Sequence, residues 1–336
     1  MISNTKTIIT EADIEQIMRR HFGTDAKVSA VTELTEGMFN AIYIVALDDR
    51  ELVLKTGIKD GTYVLSYEKD IMRAEVGVYG LLEKKGVPVP KILAYDFSHA
   101  VTDYDYFIME KLQGDNWGHL RDKISEENKH KLIAELGRYT AMIGQIRGDW
   151  FGYIKDDPAF QYDSWRGAFS GMVELVINDG RKDGVELPYD EILDAIEPLW
   201  PLLDEVKEPR LVNFDMWNKN IMLIEQHGEY RIDGIIDHER AFYGDPYAEF
   251  ISSETICGPI EQCPVFLDHY AAVTSEPLTF TKNDKIRIAM YKLYLMLLMG
   301  VEVYRYEEED KQNMLGYCRS GIARELAALR SQIESE

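Results

Sequence analysis

Asn213-Phe214-Asp215-Met216-Trp217-Asn218-Lys219-Asn220 and, after one intervening strand pair, Ile235-Ile236-Asp237-His238-Glu239 decide the reading of this chain. Asn220 to Glu225 and Tyr230 to Asp237 read as strands joined by a turn at Gln226-His227-Gly228-Glu229. An Asp five positions ahead of an Asn, on a loop entering a strand, with another Asp ending the paired strand, gathers three oxygen-bearing side chains at one end of one hairpin. Oxygen donors so placed suit Mg²⁺, which takes carboxylates, amide carbonyls, waters and phosphate oxygens. Singly, Asp215 and Asn220 read equally well as turn residues and Asp237 as a strand-end cap. Their order carries the signal.

Upstream, Ile42, Ile44 and Ala46 alternate, Asp48-Asp49-Arg50 supply a turn, and Leu52-Val53-Leu54-Lys55 resumes the extended pattern, a hairpin with Lys55 near its end. Thr10-Glu11-Ala12-Asp13 has capping-box spacing, and Ile14, Ile17 and Met18 share one face of the helix that follows. Tyr67 to Lys85 is helical in spacing and stops at Gly86 and Pro88; Lys91 to Tyr95 and Asp105 to Lys111 read as two more strands. After the polar stretch Gly114 to Trp117 helical periodicity dominates, as in Lys129 to Ile146. The expected class is α+β, with a sheet-bearing lobe at 1–110 and a mostly helical lobe at 111–336.

In this order the residues resemble the phosphoryl-transfer elements of protein kinases, and more closely the aminoglycoside phosphotransferases and their relatives acting on choline, fructosamine and similar compounds. That family's loop runs His-Gly-Asp followed by Asn, and its metal Asp sits in Ile-Ile-Asp-Trp-Glu ahead of Gly-Asp-Pro; here stand Ile235 to Glu239 and Gly244-Asp245-Pro246. The resemblance spans roughly residues 30 to 270 and rests on the motifs together. It implies a protein-kinase-like two-lobe fold and an ATP- and Mg²⁺-dependent phosphotransferase, with GTP as the alternative nucleotide. It further implies that Asp215 takes the proton of an acceptor hydroxyl, that Asn220 and Asp237 hold magnesium, and that Lys55, paired with Glu75, meets the phosphates. Thr35 to Asn40, with Gly37 and Asn40, then covers the phosphates, Glu110 and Leu112 accept adenine through their backbone, and Glu239 and Trp217 face the substrate. Two features depart from the pattern: Asn213 replaces the His two positions before Asp215, and the phosphate loop has one glycine. Asn still donates and accepts hydrogen bonds, so activity is expected to survive.

A net charge of −22, from 59 acidic and 37 basic residues, argues against nucleic-acid or anionic-membrane surfaces and is compatible with a cationic ligand. From Asp237 to Asp268 seven acids stand against the lone base Arg240; a solvated acidic face is slightly preferred over a polycation pocket. Three cysteines without metal or disulfide spacing, no secretory signal, and an apolar stretch at Ile286 to Val303 broken by Arg287 and Lys292 lead us to expect a cytoplasmic protein, monomeric by default. Walker, dinucleotide-binding, nucleophile-elbow and zincin motifs are missing. Three functions remain: a kinase of a cationic compound such as an aminoglycoside, a metabolic kinase of a sugar, amino alcohol or fructosamine, and a nucleotide-binding protein whose chemistry has lapsed.

Overall fold

The computed structural model describes residues 5–35, 37 and 39–334. Helix α1 (Glu11–Phe22) starts at the expected box: Thr10 Oγ1 accepts from the Asp13 amide at 3.2 Å while the Thr10 amide donates to Asp13 Oδ2 at 2.9 Å. Strands β1 (Val28–Leu34), β2 (Ala41–Leu47), β3 (Glu51–Thr56), β4 (Ile92–Asp96) and β5 (Tyr106–Glu110) form one antiparallel sheet in the order β1-β2-β3-β5-β4. Side chains alternate across a strand. In β3, Leu52 and Leu54 pack with Ile14, Ile17 and Met18 of α1, whereas Val53 packs with Met72, Tyr79 and Phe107 on the opposite face. Lys55 follows Val53 onto that second face, under helix α2 (Ile71–Lys85).

Helix α2 begins four residues later than its apolar spacing predicts. Tyr67 and Glu68 lie in a 3₁₀ turn, Ser66–Glu68, and Asp70 takes left-handed geometry (φ 57°, ψ 18°), which no helix interior accepts. Its end matches expectation, with Gly86 left-handed at φ 79° and its amide bonded to Glu83 and Leu82 carbonyls.

Beyond β5 the chain is mainly helical, with α3 (Trp117–Leu120), α4 (Glu126–Gly144), α5 (Trp165–Lys182) and α6 (Tyr189–Ile196), then α7 (Phe250–Cys257), α8 (Pro264–Thr274), α9 (Lys282–Val301) and α10 (Glu308–Glu334). Short strand β6 (Asp115–Asn116) pairs with the hairpin β9 (Ile221–Gln226) and β10 (Glu229–Ile235). Gly114 has to be small there: a Cβ would stand 2.1 Å from the Leu223 carbonyl oxygen. The last sheet joins β7 (Gly152–Tyr153), β11 (Phe242–Gly244) and β8 (Arg210–Val212). Asp215 therefore lies between β8 and β9, and Asp237 between β10 and β11. The α9 stretch is a buried helix whose Arg287 bonds Asp245 at 2.9 Å. No described helix is long and apolar enough to cross a membrane.

The acidic run after Asp237 is not the solvated face expected of it. Asp245 and Glu249 are buried, the former receiving both Arg287 and the Tyr291 hydroxyl, the latter accepting backbone amides, and among its acids only Glu261 and Asp268 are exposed. Charge density along the chain does not reveal that Arg287, more than forty positions from Asp245, folds back to neutralise it.

Candidate active site

Lys55 is fixed by the sheet and Glu75 by the α2 face that covers it. The lysine Nζ lies 3.0 and 2.8 Å from the two Glu75 carboxylate oxygens, 2.9 Å from Asp237 Oδ1 and 3.3 Å from Glu239 Oε2. Burial works against the ammonium charge, but the three carboxylates outweigh it and hold the Lys55 pKa well above the ordinary lysine range. Burial pushes Glu75 up to about 8 against the pull of Lys55. Burial also raises Glu239, with Asp237 beside it; at Asp237 itself the bonded Lys55 more than cancels the effect of burial and holds the carboxyl below the usual range.

Glu75, Asp237 and Glu239 each offer one oxygen, all within 4.8 Å of one another. A hard-oxygen set of this kind fits Mg²⁺, and the Lys55 ammonium bonds the same carboxylates.

Asp215 sits next to this cluster. Its Oδ2 accepts from Asn220 Nδ2 at 3.0 Å and its Oδ1 from Arg240 Nη1 at 3.2 Å. The loops are knitted by the Ile236 amide, which donates to the Asn220 carbonyl at 2.9 Å. Burial pushes Asp215 up to about 7 despite the Arg240 guanidinium, with Asp237 and Glu239 adding to the rise. Arg240 also clasps Glu302 at 2.7 and 3.0 Å, and Glu302 accepts from the Tyr67 hydroxyl of the turn before α2. Arg305 bonds Glu68 at 2.6 Å and lies over the Phe39 ring at 4.7 Å. Thus the segment leading into α2 and Phe39, ahead of β2, are both tied to the turn that follows α9.

Lys55, Glu75, Asp237 and Glu239 meet in one cluster, joined by Asn40, whose Nδ2 donates to Glu239 Oε2 at 2.9 Å; Asp215 and Asn220 form the adjoining pair. Glu239, expected to face the substrate, bonds Lys55 and Asn40. Gly37 lies ahead of β2, where an added Cβ would come 3.2 Å from the Asn40 carbonyl; Glu36 and Met38 lie outside the described residues. Glu110 pairs with Leu52, three positions along from the Lys55–Phe107 pair, and Leu112 packs against Gly234, so neither joins the cluster. Half-buried Trp217 lies under Lys219, 5.5 Å from its ring centre.

Sequence reasoning missed Glu302, Arg305, Tyr79 and Glu249, and met Arg240 only as the lone base of an acidic run. Of these, Arg240 alone left a signal, since a single cation among seven acids has carboxylates to serve. Glu249 accepts the Asn213 and Phe214 amides through Oε2, and burial pushes its carboxyl up to about 7. A folded-state pKa above the unfolded one gives stability that is fully present below about 4.5 and is lost as pH rises through 7, here about 3 kcal/mol. Glu249→Gln keeps the acceptor oxygen without the titration. Urea midpoints are expected to fall less between pH 5 and 8 in this variant than in the native protein; parallel falls would remove Glu249 from the account.

The sequence profile of the phosphotransferase enzyme family matches residues 30–280. A Haemophilus somnus protein provisionally designated a fructosamine-3-kinase is 17% identical, covers 93% of this chain and 96% of its own, and superposes with a TM-score of 0.64. A thermostable mutant of aminoglycoside phosphotransferase APH(4)-Ia, in a ternary complex with AMP-PNP and hygromycin B, is 17% identical over 96% of this chain and 100% of its own, TM-score 0.63. The streptomycin–ATP complex of APH(2")-IIa is 18% identical over 95% and 97%, TM-score 0.58. At these identities the likeness shows a shared fold, the α+β, protein-kinase-like arrangement. Among curated proteins none matches significantly.

Proposed function

The chain belongs to the phosphotransferase enzyme family, and from that premise we propose that it transfers the γ-phosphoryl group of ATP to a hydroxyl of a small, cationic acceptor. The observation that carries this reading is the meeting of Lys55, Glu75, Asp237 and Glu239 beside a half-buried Asp215 whose carboxyl is pushed up to about 7. A base is most effective when its pKa is close to the working pH.

In this reading Asp215, held by Asn220 and Arg240, accepts the acceptor's proton as the acceptor oxygen bonds the γ-phosphorus and the bond to the β–γ bridging oxygen breaks, releasing ADP. Lys55, oriented by Glu75, meets the phosphate oxygens, and Phe39 and Asn40 hold the covering loop down over them. Asp237 and Asn220 would hold magnesium, with Glu75 and Glu239 offering further oxygens beside Asp237. Bound magnesium supplies positive charge to the phosphate oxygens as negative charge builds on them. The present bonds of Lys55 to Asp237 and Glu239 neutralise the same carboxylates when that charge is not there.

A cationic acceptor is supported by the net charge of −22 and by the aminoglycosides bound in two of the similar structures. The metabolic reading is supported by the similarity to the fructosamine-3-kinase designation. The test is nucleoside diphosphate release by purified protein, ADP from Mg·ATP and, separately, GDP from Mg·GTP, against aminoglycosides, fructosamine-lysine, amino alcohols and sugars. Stimulation by an aminoglycoside is the expected result; stimulation by fructosamine-lysine or a neutral sugar alone would transfer the assignment to a metabolic kinase. ADP binding without turnover on any compound would support the lapsed-enzyme reading.

A further inference from the structure

Two residues with side chains take left-handed backbone geometry where the candidate site is built: Phe214 at φ 65°, immediately before Asp215, and Asp237 itself at φ 65°. Such a conformation is strained for a residue with a Cβ and persists only where its surroundings over-determine it. Each turn aims one of the two aspartates, so whatever holds the turns also sets where the carboxylates point.

Asn213, preceding the first turn, and His238, following the second, meet between them. His238 Nδ1 donates to Asn213 Oδ1 at 2.9 Å, with the two residues 1% and 0% exposed. The imidazole stands edge-on to the Tyr79 ring, centroids 4.6 Å apart, and the Tyr79 hydroxyl accepts the Asp237 amide at 3.1 Å. Tyr79 is one helical turn beyond Glu75 on α2, on the same face. On the other side Glu249 takes the Asn213 and Phe214 amides, and Ser252 Oγ donates to the Phe214 carbonyl at 2.9 Å. Asn213 Nδ2 and His238 Nε2 are buried without a protein partner. An apolar pair of similar volume would avoid that desolvation penalty, so stability is a poor reason to keep two polar side chains here.

We propose that Asn213 and His238 act as one positioning unit, which locks the Asp215 turn to the Asp237 turn and, through Tyr79, registers both against the helix carrying Glu75. The proposal rests on the phosphotransferase reading for the roles of the two aspartates. Neither side chain meets the reacting groups; each acts by where it puts a carboxylate. Asn213, though on the Asp215 loop, thereby governs the metal-binding quality of Asp237.

The test is titration of a fluorescent ADP analogue, with and without Mg²⁺, into native protein, Asn213→Ala, His238→Ala, the double variant and His238→Asn, whose Nδ2 falls where the imidazole Nδ1 was. Groups that hold a metal ligand in place typically govern metal affinity by about 10–100-fold. Each alanine variant is expected to reduce the Mg²⁺-dependent gain in ADP affinity about tenfold, with Mg²⁺-free affinity within about twofold of native. The double variant should be no worse than the poorer single, as residues acting as a unit require. His238→Asn should recover most of the loss. A native Mg²⁺ dependence in Asn213→Ala, single effects that multiply in the double, or an equal loss of Mg²⁺-free affinity would each overturn the unit while leaving the kinase reading intact. Native protein that binds no ADP would overturn both.

Discussion

Asp215→Asn is expected to lower kcat for phosphoryl transfer by about 10²–10⁴-fold, the range associated with loss of a general base, while ADP and ATP affinities stay within a few-fold of native. The substitution is nearly isosteric, and the new amide oxygen can still accept from Arg240, which keeps its separate bonds to Glu302. What disappears is the ionisable group. The sign of the pH dependence follows from its position near 7: the ionised form accepts the proton, so native kcat should rise with pH through about 7 and level off above it. The residual activity of the variant should lack that limb. Initial rates of ADP formation from pH 5.5 to 9, alongside calorimetric ATP binding, separate the two effects. A variant that turns over at the native rate places the base elsewhere, and one that no longer binds ATP reports a collapsed loop rather than a missing base.

Residues whose placement depends on strand alternation or motif order were legible in the sequence. Lys55 could be put on a strand end because its neighbours alternate, Gly86 could be put at a helix stop because only a left-handed residue ends that helix, and Asp215, Asn220 and Asp237 could be put at one end of a hairpin because two strands and a turn lay between them. The start of α2 was not legible: apolar spacing continues through Tyr67 while Asp70 breaks the helix, and a left-handed Asp leaves no mark on periodicity. Nor was the chain of contacts Asp215–Arg240–Glu302–Tyr67, which joins positions 62 and 235 residues apart and exists only once α9 lies against the turn before α2. Asn213 read as a replacement for an imidazole that keeps hydrogen-bonding capacity, with no partner visible in the sequence. The structure shows an imidazole bonded to the Asn213 side chain, carried by His238 on the facing loop.

Lys55→Met is expected to be destabilising as well as inactivating, and the pH dependence of the first effect identifies its cause. Methionine fills much of the lysine's volume, so packing is retained while one buried cation is removed from among Glu75, Asp237 and Glu239. Breaking a buried pair by deleting one partner typically destabilises by about 3–5 kcal/mol, because a charge is left without compensation. The carboxyls can relieve this by taking up protons. Glu75 and Glu239 already have raised folded-state pKa values, and without the ammonium Asp237 loses the interaction that holds its own below the usual range. A carboxyl whose folded pKa is raised contributes stability that is complete below its unfolded value and is lost as pH climbs through the folded one. The deficit of Lys55→Met relative to native should therefore be largest at pH 8–9 and shrink toward pH 5. A divalent cation bound to the same oxygens supplies the missing charge, so Mg²⁺ should raise the urea midpoint of the variant more than that of the native protein. Urea denaturation at pH 5, 7 and 9, with and without Mg²⁺, measures both effects. An equal deficit at all three values, unmoved by Mg²⁺, would mean that Lys55 is held by packing alone and that the three carboxylates do not depend on its charge.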